Sequence, residues 1–189
     1  MRKVRGFTLI EAMTVVALVA ILAGIGSWQI GKQLPRYRTN SAATKLVLDV
    51  RNAASIAART NRPVTLTVNQ PGCTPGYVVA QSGAEYIRVC FANEYQGVEF
   101  RDGTGDPDIT CTDEAELTYP PIPACTLCTG AQVIRFLPNG QVITPSGADE
   151  SIVIGPRGDS AVFDRAVGIR NLTGKARSYK RAGSGWECP

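Results

Sequence analysis

The chain has 189 residues, 44% of them hydrophobic, with 20 Lys and Arg against 16 Asp and Glu, six cysteines and no histidine. The length suits one small globular core beside one extended segment. Without histidine, a P-loop, a nucleophile elbow or an acid pair recognisable in a cleft, no enzyme class is supported, so no catalytic activity and no catalytic residue are expected.

In chain order the first segment, residues 1–6, is the basic leader MRKVRG. Residues 7–30 follow as an apolar run broken by one acid, Glu11. About 20 such residues span a bilayer core, so 7–30 reads as a transmembrane helix. Basic residues ahead of it hold that end in the cytoplasm and send the remainder outward. A carboxylate one turn into such a helix costs roughly 2.5 to 3.5 kcal/mol, which makes Glu11 a functional position in need of a partner, most simply an amine. An ordinary secretory signal would need a small-residue cleavage site after the run, where Trp28, Gln29, Ile30, Gly31 and Lys32 stand instead. A simple anchor leaves Glu11 unexplained, and a helix apolar on every face would need a much larger soluble body around it.

Gly6 followed by Phe7-Thr8-Leu9-Ile10-Glu11 resembles the class III signal of type IV pilins and type II secretion pseudopilins. The resemblance implies that a prepilin peptidase cuts between Gly6 and Phe7, that Phe7 is then N-methylated, and that Glu11 pairs with the new amine during assembly. Opposite charges in hydrocarbon neutralise each other where each alone would be intolerable. Three of the 20 cations, Arg2, Lys3 and Arg5, leave with the leader, so the mature chain would carry 17 against 16 acids. Ala12 departs slightly from major subunits, which usually have Leu after the glutamate.

Residues 31–61 continue the helix in amphipathic form. Leu46, Val50, Ala53 or Ala54, and Ala57 are spaced for one face, with Arg38, Lys45, Asp49, Arg51 and Arg59 between them. Gly24, Gly26, Gly31 and Pro35 weaken the stretch between the two halves, where the rod would bend or melt. The helix should end before Arg62-Pro63, since the residue ahead of a proline is pushed out of the α region. A helix from Phe7 to Asn61 would be roughly 80 Å long, so its second half must pack on something other than a membrane.

The remainder, 62–189, is written in strands: Val64–Val68, Tyr77–Ala80, Tyr86–Phe91, Val98–Phe100, Val133–Leu137, Ile152–Ile154, Val167–Arg170 and Ala176–Lys180, separated by Gly, Pro, Asn and Asp. Pro138-Asn139-Gly140 reads as a hairpin with a type I′ turn at Asn-Gly. The expected fold is α+β, the long helix covering one side of a mainly antiparallel β-sheet. Val133 to Gly140, Ser151 to Ile154 and Val167 to Arg177 resemble the closing strands of the GspH/FimT/FimU domain of minor pilins and pseudopilins, within the type IV pilin-like fold.

Cys73, Cys90, Cys111, Cys125, Cys128 and Cys188 all lie in the part expected outside the cytoplasm, where disulfides persist. Six thiols allow 15 pairings and the sequence does not choose among them. Cys73 with Cys90 would close a hairpin, and Cys188 would tie down the terminus. Cys125 and Cys128 also have redox or zinc spacing, but structural disulfides suit a histidine-free loop better. Asp102, Asp106 and Asp108 share a glycine-containing loop that would offer calcium its ligands. Their spacing departs from the EF-hand, a solvated turn is the plainer reading, and no cofactor is expected.

Near the C-terminus, Arg165, Arg170, Lys175, Arg177, Lys180 and Arg181 stand close to Tyr179 and Trp186. Gly174-Lys175-Ala176-Arg177 resembles the G-R-x-R element of FimT-like minor pilins, with Lys in place of the first Arg, which implies DNA binding there, and the surrounding cations make Arg170, Lys175, Arg177, Lys180 and Arg181 the candidate DNA-binding residues. A basic edge strand that deters edge-to-edge pairing is the plainer reading. The resemblance as a whole implies a minor type IV pilin at the initiation point or tip of a pilus serving motility and adhesion, with a type II secretion pseudopilin and a DNA-uptake pilin as alternatives. It implies storage in the inner membrane, display on the surface pilus, and as partners the major and other minor pilins, prepilin peptidase, the assembly platform, a tip adhesin and DNA.

Overall fold

The computed structural model describes residues 8–101, 126–128, 130–158, 163–182 and 185–187, and within these the side chains of all but 25–32, 182 and 185. It divides into two compact units, Met1–Pro35 and Arg36–Pro189.

Helix α1, Leu9–Thr60, contributes to both units. Gly24, Gly26, Gly31 and Pro35 do not melt it: the helix runs through all four. Proline removes one hydrogen bond of the ladder without ending the helix. α1 stops at Thr60, where Asn61 turns to φ 51° ahead of Arg62-Pro63. Asparagine tolerates that left-handed position at a helix C-terminus better than most residues.

In the second unit the buried stripe of α1 runs through Ala42, Ala43, Leu46, Val50, Ala53 and Ala57. The expected single sheet is instead two. The first holds β1 (Val64–Val68), β2 (Gly76–Gln81), β3 (Ala84–Cys90), β5 (Gln132–Phe136) and β6 (Val142–Ile143), in the order β3-β2-β1-β5-β6. The second holds β4 (Val98–Phe100), β7 (Glu150–Pro156), β8 (Arg165–Ile169), β9 (Ala176–Ala182) and β10 (Gly185–Glu187), in the order β10-β9-β8-β7-β4. Every pairing is antiparallel.

The sheets meet where β6 ends after two residues. Val142 exchanges backbone hydrogen bonds with Leu172, which lies beyond β8. One core then joins Leu46 and Val50 of α1 with Leu66 and Ile134 of the first sheet and Ile152 and Val167 of the second. Strand patterning reports that segments are extended and half-buried, but not which edges pair, so one sheet and two are the same in sequence.

Three local readings change. The segment Tyr86–Phe91 leaves the strand at Cys90, and Phe91 opens the short helix α2, Phe91–Glu94. Phe91 is fully buried, with its ring centroid 4.9 Å from that of Phe100 and 5.9 Å from that of Tyr95. Burial of that ring against neighbours outweighs its strand propensity. The turn after β5 is not type I′, because only Gly140 of the pair Asn139-Gly140 has positive φ, at 84°. Gly140 N–H donates to Leu137 O at 3.0 Å and Leu137 N–H to Gln141 O at 2.8 Å. Pro138, fixed at negative φ, takes the first turn position, and Gly140 supplies the left-handed residue of a three-residue hairpin. Strand β10 and helix α2 were not foreseen.

Candidate functional site

At the start of α1, Thr8 sits at the helix N-cap and Glu11 in the first turn. The Thr8 carbonyl accepts the N–H groups of both Glu11 (3.1 Å) and Ala12 (3.2 Å). Thr8 Oγ1 reaches Glu11 Oε2 at 3.5 Å, and Thr14 Oγ1 donates to the Glu11 carbonyl at 2.9 Å. Threonine followed three residues later by glutamate is the spacing of a capping box. A carboxylate here also faces the positive end of the helix dipole, a favourable placement by about 0.3 to 1 kcal/mol. Glu11 is thus held in the first turn by helix geometry alone.

Every described side chain from Thr8 to Gly24 is exposed, including Leu9 at 79%, Ile10 at 72% and Leu22 at 68%. Exposed apolar surface on this scale marks contact with other apolar matter. Among the described residues no helix is long and apolar enough to cross a membrane. The described side chains of this helix end at Gly24, six residues short of the end of the apolar run at Ile30, and resume at Gln33. Gly6 and Phe7 lie outside the described residues, as do Cys111, Cys125, Cys188, Asp102, Asp106 and Asp108.

Cys73 and Cys90 form a disulfide across the β2–β3 hairpin, 17 residues apart in sequence. Cys128 is disulfide-bonded as well. Val153 N–H donates to its sulfur at 3.3 Å, which holds the 126–128 segment on the second sheet. Among the described residues no group of His, Cys, Asp and Glu is placed to hold a metal ion.

The C-terminal cations do not form one stripe. Side chains alternate along β9, and Ala176 belongs to the main core while Tyr179 belongs to a second cluster with Val153, Ala166 and Trp186. Lys180 therefore shares the face of Ala176, and Arg177 and Arg181 share the face of Tyr179. Arg170 forms an ion pair with Asp149, and Lys175 is exposed in the turn before β9. Tyr179 and Trp186, which stand close to these cations in sequence, are buried, and the Arg181 guanidinium lies 5.2 Å from the Trp186 ring centre. Both rings are spent on packing in the cluster with Val153 and Ala166.

Gly174 occupies φ 62°, and a side-chain carbon there would run into Val142 Cγ2. Its place in the Gly-Lys-Ala-Arg element is thus explained by the β8–β9 turn.

One polar site was misplaced by the sequence reading. Asp49, assigned there to the polar face, is buried, with 3% exposure. Its oxygens accept Lys45 Nζ at 2.7 and 2.9 Å and the Tyr77 hydroxyl at 2.7 Å. Burial first, and the Asp49 carboxylate second, push the Tyr77 hydroxyl far above its ordinary range, so it remains protonated and donates. The signal was present: 46, 49, 50 and 53 follow the one-face spacing, and Asp49 occupies it.

Residues 1–27 match the family model described as the prokaryotic N-terminal methylation motif. No curated protein matches the chain. Among solved structures, the type IV minor pilin FimU of Pseudomonas aeruginosa aligns over 80% of this chain and 94% of its own, at 13% identity and a TM-score of 0.46.

Proposed function

We propose that this protein, a type IV pilin-like chain by its N-terminal methylation motif, is a minor type IV pilin that takes part in starting or tipping a pilus. The observation that carries the reading is the coincidence of that motif with an exposed apolar stretch, residues 8–24, whose one acid, Glu11, stands in the first turn of α1. In this reading residues 1–6 are removed between Gly6 and Phe7, and Phe7 is N-methylated. Glu11 neutralises the new amine, within one subunit or between neighbours, which sets the axial register of each added subunit.

The exposed apolar side chains from Leu9 to Leu22 serve two states. Before assembly they lie in the inner membrane, with the β-rich body outside the cytoplasm. In the filament they pack against the helices of the major and other minor pilins, an open-ended heterologous contact. The surrounding machinery, prepilin peptidase and an assembly platform, supplies processing and movement. Two disulfide-bonded sites, at Cys73–Cys90 and at Cys128, suit a body that works in an oxidising compartment.

The test is intact mass and N-terminal sequencing of the membrane-extracted protein, with a Glu11→Ala variant assayed for incorporation into sheared filaments. An N-methylated Phe7 terminus and a variant absent from filaments support the reading. An uncut Met1 terminus and normal behaviour of the variant would leave a simple membrane anchor.

A further inference from the structure

We propose that Arg36 and Arg165 form a binding site for the phosphate of an anionic phospholipid headgroup. The inference rests on the membrane-stored state described above, and deepens it by naming a lipid class that state would prefer.

The first observation is that two like charges adjoin each other. Arg36 lies at the start of the second unit, with its guanidinium carbon 3.9 Å over the Phe163 ring. Arg165 opens β8, where its Nε donates to Asn40 Oδ1 at 3.2 Å and its Nη1 to the Asp164 carbonyl at 3.4 Å. Neither arginine makes an ion pair with a carboxylate among the described residues. Burial and then the charge of Arg36 lower the pKa of Arg165, with Glu187 acting the other way. A stacked guanidinium keeps its in-plane N–H donors available at the edge, the geometry that suits phosphate oxygens.

The second observation is the register. β8 and β9 pair Arg165 directly with Lys180, so both side chains leave the same face. Like charges directly opposite destabilise an antiparallel pair. Glu187, 3.6 Å from Lys180 Nζ, relieves part of this, but that pair is more than half exposed on both sides. The nearby Asp164 carboxylate is engaged with Arg101 at 3.5 Å. Arg165 thus has Arg36 as a neighbouring charge and Lys180 as its ladder partner, with Glu187 the acid acting on it among the described residues.

The third observation selects a lipid over free phosphate. Arg36 follows the apolar run 7–30 by residues 31–35 alone. A run of that length fills a bilayer core, so chain continuity sets the residues just after it at headgroup depth. At a membrane surface that carries anionic lipid, a basic residue contributes about 1 kcal/mol, equivalent to about fivefold in affinity.

The experiment uses the full chain in a non-ionic detergent, with native mass spectrometry to count retained phosphatidylglycerol or phosphatidylcholine and inorganic phosphate as competitor. Phosphatidylglycerol should be retained over phosphatidylcholine, and Arg36→Gln and Arg165→Gln should each reduce retention about fivefold. Arg36 is exposed, so Arg36→Gln tests the site even if Arg165→Gln fails to fold. Equal retention of both lipids, unchanged retention in the double variant, or displacement by an equal concentration of inorganic phosphate would overturn the inference. Membrane fractionation separates the two readings. A chain that sediments with membranes yet shows no headgroup preference defeats this inference alone, whereas a chain recovered in the soluble fraction defeats the membrane reading beneath it.

Discussion

The hydroxyl of Tyr77 on β2 donates to Asp49 of α1 across 2.7 Å in a site closed to solvent. This bond, completed by Lys45, ties the helix to the first sheet through a polar contact embedded in an otherwise apolar seam. Tyr77→Phe removes one donor and leaves the buried carboxylate to Lys45 alone. The expected cost is about 1.5 to 3 kcal/mol, read as a lower urea midpoint at constant slope. A double-mutant cycle with Asp49→Ala should give a coupling of about 0.5 to 3 kcal/mol, and additive losses would show that the bond contributes nothing.

The same hydroxyl sets an alkaline limit. Its folded pKa is raised above the ordinary value of 10.0, so its contribution is complete below pH 10 and is lost as the unfolded chain begins to ionise above it. Stability should fall with pH above 10 by about 1.4 kcal/mol per unit from this group. Urea unfolding between pH 9 and 11 should show a shallower decline in Tyr77→Phe than in the wild type; parallel slopes would remove Tyr77 from the account.

The Cys73–Cys90 bridge closes a span of 17 residues around β2 and β3. In the chain-entropy treatment such a loop contributes about 3 kcal/mol. The double variant Cys73→Ala with Cys90→Ala, unfolded under oxidising conditions so that other bridges persist, should lose stability of that order. A loss under about 0.5 kcal/mol would mean that the unfolded hairpin is already compact.

Gly174 combines a left-handed backbone with direct contact from Val142. Gly174→Ala should destabilise by more than about 1 kcal/mol, from both strain and overlap. Adding Val142→Ala relieves the overlap but not the strain, so partial recovery in the double variant is expected. Full additivity of the two losses would show that β6 and the β8–β9 turn do not press on each other.

Much of the candidate site was legible in one dimension. Glu11 stood out because a charge inside an apolar run is costly whatever surrounds it. Asp49 was misread because an acid on a helix is assigned to water by default. Its partner, Tyr77, comes from a strand 28 residues away, and no local pattern announces that a carboxylate has found a hydroxyl and an ammonium. Arg165 was read only as one of the C-terminal cations, since what sets it beside Arg36 is packing between the start of the globular unit and the first residue of β8.

By itself the sequence determined what depends on neighbours along the chain: an apolar helix with one acid in its first turn, its amphipathic continuation, an ending ahead of Pro63, and a succession of short strands. These follow from helix and strand periods and from transfer energies, which are properties of composition and spacing. Tertiary structure alone decided the division of strands into two sheets, the choice of Cys90 as partner for Cys73, the burial of Asp49, and the separation of the C-terminal cations onto opposite faces of β9. Each of these turns on which distant segments meet, and the energies that select them, core packing, paired backbone groups and compensated charges, exist only once the chain has closed on itself.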